Sequence, residues 1–95
     1  MTSKLLSSLK LRDVKLPNRI VVSPMQMYMA KENGECTDWH LVHLGKFAIG
    51  NFGTVFTEVL CVEPRGRSTY SDAGIWCDSQ IPMLTKIASF IHSHG

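Results

Sequence analysis

The chain has 95 residues, which is enough for one small domain and too few for a complete barrel enzyme of about 250 residues. Hydrophobic residues make up 44% and charged residues 19%, a balance typical of a packed domain and not of a disordered chain. The formal net charge of +2 is too small to predict a nucleic-acid-binding surface. Residues 1–95 are therefore treated as part of one packed domain without a nucleic-acid partner.

The cysteines and the hydropathy pattern indicate the cellular setting. Cys36, Cys61 and Cys77 are an odd number without Cys-x-x-Cys spacing, so neither a disulfide framework nor a zinc knuckle is expected. Reduced thiols predict a cytoplasmic protein. The first ten residues lack the apolar run of a signal peptide, and no stretch of about 18 apolar residues predicts a membrane span.

The first predicted elements are a short hairpin and a strand. Apolar and charged residues alternate over 9–16, which predicts a surface hairpin or an edge strand. The segment 19–25 contains three consecutive β-branched residues and predicts a strand buried on both faces, with Pro24 limiting its length. The polar segment 31–36 contains an Asn-Gly dipeptide that ends at Gly34, and it predicts a surface turn.

A helix and a second strand are predicted next. Thr37 or Asp38 can cap the helix, whose apolar residues recur at helical spacing until Gly50. The segment 54–60 is rich in β-branched and aromatic residues and predicts a strand. Strand, helix and strand in this order are typical of a βαβ unit with parallel strands.

A second helix follows a loop at residues 63–72. Asp78 or Ser79 is predicted to cap this helix, with Pro82 in its first turn, and Gly95 is the predicted C-cap. The fold class predicted from the whole pattern is α/β, with a short hairpin followed by strand, helix, strand and helix.

The strongest candidate site directly follows the first predicted strand. Ligands in βα folds bind at the carboxyl ends of the strands, and the segment 23–28 reads Ser-Pro-Met-Gln-Met-Tyr. Gln26 and Tyr28 supply polar groups, and the methionines supply a soft surface suited to a flat aromatic ring. A strand-to-loop corner filled by core methionines accounts for the same residues equally well.

Two histidines suggest a metal site and also a simpler interpretation. His40 and His43 lie at i and i+3 of the predicted helix, and Cys36 or Asp38 could supply a third metal ligand. Such histidine pairs are common on helices that bind nothing. We therefore expect ordinary hydrogen-bonded or surface histidines and no metal.

Glu58 lies near the end of the second predicted strand and is also ambiguous. A carboxylate at this place is either functional or paired with a basic residue such as Arg65 or Arg67, and the structural ion pair is favoured. Trp39 and Trp76 are interpreted as packing anchors.

Several motifs in order resemble the amino-terminal part of the old yellow enzyme family, in particular its bacterial branch. They are P-N-R-I-V-V-S-P-M at 17–25, T-D-W-H-L-V-H-L-G at 37–45, T-E-V-L-C-V at 57–62, G-R-S at 66–68 and D-A-G-I-W-C-D at 72–78. The resemblance implies a (β/α)8 TIM barrel, of which this chain supplies the hairpin and the first two βα units. It also implies FMN as cofactor, NAD(P)H as hydride donor and an activated alkene as substrate.

The resemblance implies roles for particular residues. The implied cofactor-binding residues are Ser23, Pro24, Met25, Gln26 and Val59. Tyr28 is implied to face the substrate. Position 26 departs from the family pattern of Cys or Thr, and Gln26 is expected to donate a hydrogen bond toward the polar edge of the flavin. The substrate-activating histidine pair of the family has no counterpart here, so no catalytic residue is predicted.

Two functional hypotheses follow from the partial barrel. The first is a segment of an FMN-dependent oxidoreductase that carries part of the flavin site and has no turnover of its own. The second is a non-enzymatic assembly fragment that completes a barrel with a partner chain. Both predict self-association, because two parallel strands leave both sheet edges unpaired.

Overall fold

The computed structural model describes residues 3–94. The elements are β1 (Leu9–Leu11), β2 (Val14–Leu16), β3 (Val21–Val22), α1 (Asp38–Ile49), β4 (Thr54–Val55) and α2 (Ile81–Ser93). Single turns of 3-10 helix lie at Pro64–Gly66 and Asp78–Gln80. The predicted C-cap at Gly95 lies outside the described residues, and His94 is the cap residue of α2.

Strands β1 and β2 form the predicted hairpin. They pair antiparallel, with Leu9 opposite Leu16 and Leu11 opposite Val14. The two-residue turn between them begins at Arg12, whose φ of 55° is the left-handed conformation that tight hairpin turns require. The hairpin prediction is confirmed.

Strands β3 and β4 pair in parallel, as predicted, but are much shorter than the predicted segments 19–25 and 54–60. Only two residue pairs form the ladder, from Val21 opposite Thr54 to Val22 opposite Val55. Pro24 has no N–H to continue it, and each strand has a single partner among the described residues. The expected burial on both faces was wrong for Val21, which is 49% exposed. Successive side chains of a strand point to opposite faces, and within residues 3–94 only the face of Val22, which is 7% exposed, is covered.

Thr37 is the N-cap of α1, and Asp38 is the first residue of the helix. The Thr37 hydroxyl oxygen accepts from the backbone N–H of Trp39 at 3.2 Å. The Thr37 N–H in turn donates to Nδ1 of His40 at 2.9 Å, which completes a reciprocal capping box. The helix ends at Gly50, as predicted, and the next residue, Asn51, takes the left-handed conformation with φ 65°.

The predicted caps of α2, Asp78 and Ser79, were wrong because a 3-10 turn occupies residues 78–80 and the helix begins at Ile81. Gln80 is fully buried, and its side chain binds the backbone that leads into α2, where the sequence predicted a cap by Asp78 or Ser79. Its amide oxygen accepts from the backbone N–H groups of Trp76 at 2.7 Å and Cys77 at 3.2 Å. A buried amide therefore organises the start of α2.

The two helices pack against each other and cover a small apolar core. Its buried members are Ala30, Cys36, Leu44, Ala73 and Ile87. Apolar side chains of α2, including Leu84 and Ile91, pack against this cluster. Within residues 3–94 the longest helix has 13 residues, and neither helix is long and apolar enough to span a membrane.

Replacing Gly34 with alanine is expected to lower the free energy of unfolding by about 1 to 3 kcal/mol. Gly34 has φ 80°, and an added Cβ would lie 2.5 Å from the Trp76 ring and 2.6 Å from Nε2 of Gln80. Both strain and overpacking therefore oppose the substitution. Urea unfolding followed by tryptophan fluorescence measures the effect.

The matched control for this substitution is Gly66→Ala. No atom of residues 3–94 lies within 4 Å of a Cβ added at Gly66, and the φ of Gly66 is not in the left-handed region. The control is expected to unfold within about 0.5 kcal/mol of the parent chain. Equal stability of both variants would show that the close contact at Gly34 is not maintained in solution.

Candidate functional site

The residues implied to contact a flavin lie beyond the carboxyl ends of the two parallel strands. Ser23, Pro24 and Met25 follow β3 directly and are exposed, Met25 by 46% of its surface. Val59 lies four residues after β4 and is 60% exposed. Parallel strands end at the same edge of a sheet, so both segments leave the sheet on one side. Accessible apolar surface therefore lies where the sequence predicts a ligand.

Tyr28 stands out within the segment after β3 because of its backbone. Its φ is 59°, a left-handed conformation that is uncommon for a bulky residue and often accompanies functional sites. The side chain is 53% exposed. The structure thus leaves the phenol accessible, as substrate contact requires.

A small cavity lies under this edge of the sheet. Ser23 and Met25 line it together with Met27, His40 and Glu58. Tyr28 and Val59 are not among its lining residues. The structure therefore places two of the six predicted site residues around a buried polar pair, and the other four, Pro24, Gln26, Tyr28 and Val59, outside the lining of this cavity.

The partner of Glu58 is His40, so the predicted ion pair with Arg65 or Arg67 was wrong. Oε1 of Glu58 lies 3.0 Å from Nε2 of His40, and the two side chains are only 5% and 2% exposed. Oε2 of Glu58 accepts a hydrogen bond from the backbone N–H of Met27 at 2.9 Å. The carboxylate therefore points into the protein, where neither arginine reaches it.

The two arginines make other contacts at the surface. Nε of Arg65 pairs with the exposed carboxylate of Glu63 at 2.9 Å. Arg67 donates to the backbone oxygens of Glu32 and Pro64, at 2.7 and 2.9 Å, and lies over the rings of Tyr70 and Trp76. Trp76 also contacts the turn at Gly34, which agrees with its interpretation as a packing anchor.

His40 and His43 do not act together, although both lie on α1. His43 stacks on Trp39 with the ring centroids 4.9 Å apart and an angle of 17° between the planes. Burial lowers the pKa of His43 from 6.5, and nearby Lys46 lowers it further. His43 is therefore a neutral stacking group at pH 7.

A different trio, Cys36, His40 and Glu58, has its polar atoms within 4.8 Å of one another. Two features disfavour a metal there. Nδ1 of His40 accepts the Thr37 N–H, so a neutral ring carries its proton on Nε2, the atom that faces Glu58. Burial, and then Glu58, raise the pKa of Cys36 to about 11, which keeps the thiol protonated.

Gln26 lies near the buried carboxylate of Asp72 and contributes to lowering its pKa. This carboxylate accepts from the N–H of Ser68 at 2.7 Å and from the hydroxyl of Thr69 at 2.8 Å. The amide oxygen of Gln26, Oε1, is buried and has no hydrogen-bond partner within residues 3–94. Donation of a hydrogen bond from Gln26 toward a flavin stays a prediction.

The fold and this edge define a class of protein. A parallel strand pair with a helix after each strand is the repeating unit of α/β barrels, and the chain matches a portion of such barrels. Residues 4–95 match the model of the NADH:flavin oxidoreductase / NADH oxidase family. The chain belongs to that family and corresponds to an amino-terminal segment of the old yellow enzyme type.

Similar proteins agree with this assignment. An NADPH dehydrogenase of Listeria welshimeri is 45% identical over 94 residues, which are 98% of this chain and 28% of that protein. The old yellow enzyme of Pichia sp. AKU4542 superposes with a TM-score of 0.90 at 25% identity, over 97% of this chain and 24% of that one. The old yellow enzyme of Trypanosoma cruzi gives 0.82 at 27% identity, over 95% and 24%. The chain thus spans about a quarter of the length of these relatives.

Proposed function

We propose that this chain forms one wall of the FMN site in an oxidoreductase that uses NAD(P)H and an activated alkene. The observation that carries the proposal is the accessible edge beyond β3 and β4, which joins exposed apolar side chains to a buried acceptor without a partner. Membership of the flavin oxidoreductase family supports the same function.

The residues at this edge fit a flavin ring. Met25 and Val59 offer apolar surface to a flat ring, Ser23 and Pro24 adjoin them, and Oε1 of Gln26 lacks the donor that a ring edge bearing an N–H would supply. Bound FMN would accept hydride from the nicotinamide and pass it on to the alkene. Tyr28 would then present its phenol to the substrate.

The chain's own residues bind and orient in this proposal, and none of them moves a proton to substrate. Two βα units form one side of a site that a full barrel encloses with eight. The 95-residue chain alone is therefore proposed to lack turnover and to hold FMN weakly. A (β/α)8 barrel in a cytoplasmic enzyme is the proposed setting.

A second candidate function is a non-enzymatic assembly fragment that completes a barrel with another chain. Exposed apolar side chains favour it, since Phe56, Val59 and Val62 are between 52% and 80% exposed. Each strand of the β3–β4 pair also has a free edge within residues 3–94. From the same features we propose that the isolated chain associates with itself.

A chimera tests the proposed function. The region of this chain that aligns with the Listeria welshimeri NADPH dehydrogenase over 94 residues would replace its counterpart in that enzyme. The chimera is expected to purify with FMN and to oxidise NADPH, whereas the 95-residue chain alone is expected to elute without yellow colour. Absorbance of the bound flavin and NADPH consumption measure both.

A Met25→Asp variant of the chimera is expected to lose FMN occupancy at least about tenfold, because a carboxylate would face the apolar ring. Val42→Asp is the matched control, since Val42 lies on α1 and is 69% exposed. A chimera that folds without flavin, or equal losses in both variants, would contradict the proposed function. Light scattering of the isolated chain that shows one defined complex with a partner would favour the assembly fragment.

A further inference from the structure

The proton on His40 has a defined position in this structure. The Thr37 N–H donates to Nδ1, so that nitrogen is an acceptor and the neutral ring carries its hydrogen on Nε2. Nε2 lies 3.0 Å from Oε1 of Glu58, which is an ion-pair distance. The two atoms do not meet the geometry of a hydrogen bond, and neither has a hydrogen-bond partner within residues 3–94. The contact between the two side chains is therefore electrostatic.

The second oxygen of Glu58 continues this chain of contacts to the site. Oε2 accepts from the backbone N–H of Met27 at 2.9 Å. That N–H belongs to the peptide between Gln26 and Met27, and the following residue, Tyr28, has the left-handed φ of 59°. Contacts thus run from the cap of α1 through His40 and Glu58 to the backbone of the segment 23–28.

We propose that Glu58 is a positioning residue whose carboxylate, buried beside Nε2 of His40, holds the segment 23–28 at the end of β3 by accepting the N–H of Met27. The inference rests on the proposed function only in taking that segment as the flavin wall. The contacts themselves are measurable without FMN. Glu58 touches neither cofactor nor substrate in this proposal and acts through Met27.

The donors around Glu58 make the charge-neutral variant informative. The N–H of Met27 donates to Oε2, and Nε2 of His40, the protonated nitrogen of a neutral ring, lies 3.0 Å from Oε1, so a carboxylate suits both neighbours. In Glu58→Gln the amide oxygen faces one donor and the NH2 group must face the other. A nearly isosteric change therefore breaks one of the two contacts without creating a cavity.

Nuclear magnetic resonance of the chain labelled with [15N]methionine tests the proposal. Met25, Met27 and Met29 report on the segment, and Met83 on α2 is an internal reference. In Glu58→Gln, the Met27 amide is expected to shift, because its acceptor changes from a carboxylate oxygen either to a neutral amide oxygen or to an NH2 group that cannot accept. Met25 and Met29 are expected to shift with it, and Met83 is expected to stay in place.

Glu63→Gln is the matched control, because Glu63 makes only a surface pair with Arg65. It should leave all four methionine signals in place. An unchanged Met27 amide in Glu58→Gln, or equal shifts at Met83, would overturn the proposal. The tautomer of His40, read from its side-chain 15N shifts in the unsubstituted chain, decides the question even if the variant does not fold. A proton on Nε2 supports the proposal, and a proton on Nδ1 overturns it.

These outcomes separate the positioning role from the proposed function. Loss of FMN from the chimera with normal methionine signals would contradict the flavin site and leave the Glu58 contacts standing. Normal flavin binding by the chimera, together with an unaffected Met27 amide in Glu58→Gln, would contradict the positioning role of Glu58 and leave the flavin site standing.

Discussion

Replacing His40 with leucine is expected to lower the free energy of unfolding by about 3 to 5 kcal/mol. Glu58 is 7% exposed and would lose the group that lies 3.0 Å from its carboxylate. Only the bond from the Met27 N–H would then offset the burial of its charge. The cap of α1 would also lose its contact between the Thr37 N–H and His40. Urea unfolding measures the change.

Two controls give this prediction its meaning. His92→Leu changes an exposed histidine of α2 and is expected to alter stability by about 0.5 kcal/mol or less. The double variant His40→Leu, Glu58→Met removes the buried charge and should be more stable than His40→Leu alone, because a missing partner costs more than a missing pair. A double variant that is less stable than the single one would refute the explanation.

Replacing Asp72 with alanine is expected to lower the free energy of unfolding by about 2 to 4 kcal/mol, because buried donors would lose their acceptor. Asp72 is 2% exposed and accepts from the N–H groups of Ser68 and Thr69 at 2.7 and 3.2 Å and from the Thr69 hydroxyl at 2.8 Å. Asp72→Asn keeps one acceptor oxygen and should cost less than the alanine variant.

The same carboxylate gives stability a defined dependence on pH. Burial alone would raise the pKa of Asp72, but hydrogen bonds from Thr69, Ser68 and Gln26 hold it below its ordinary 3.8. The unfolded chain therefore takes up the proton at a higher pH than the folded chain. The contribution is complete above the unfolded pKa and is lost as pH falls through the folded one. In Asp72→Asn, the free energy of unfolding should depend less on pH below about pH 4 than it does in the parent chain. An unchanged dependence on pH would contradict this.

Sequence patterns predicted the elements of this fold where the cause was local. Alternation of apolar and charged residues over 9–16 identified the hairpin, and Thr37 was among the two predicted caps. The strand lengths were overestimated, because β-branched composition reports a preference and a ladder needs a hydrogen-bonding neighbour. Val21 and Val22 have one such neighbour in the described residues.

Long-range polar contacts could not be predicted from spacing. Glu58 and His40 are 18 positions apart on different elements, and arginines closer in sequence were the natural candidates for its partner. Asp72 was part of a family motif, yet no local pattern connects it with Gln26, 46 positions earlier. The role of Gln80 at the start of α2 likewise depends on a contact that spacing did not predict, the hydrogen bond from the backbone N–H of Trp76. In the loops of the described residues, the Asn-Gly dipeptide predicted a turn from local sequence alone, and its Gly34 has the left-handed φ of 80°.

The stacking of Trp39 on His43 gives the first helix an optical property. An imidazolium ring quenches an excited indole by accepting an electron, and a neutral imidazole does so far less. Because burial and Lys46 keep the His43 ring neutral at pH 7, indole emission from Trp39 should dim only on acidification past the depressed midpoint. The emission of Trp39 would thus report the protonation of His43, at a wavelength where flavin does not emit.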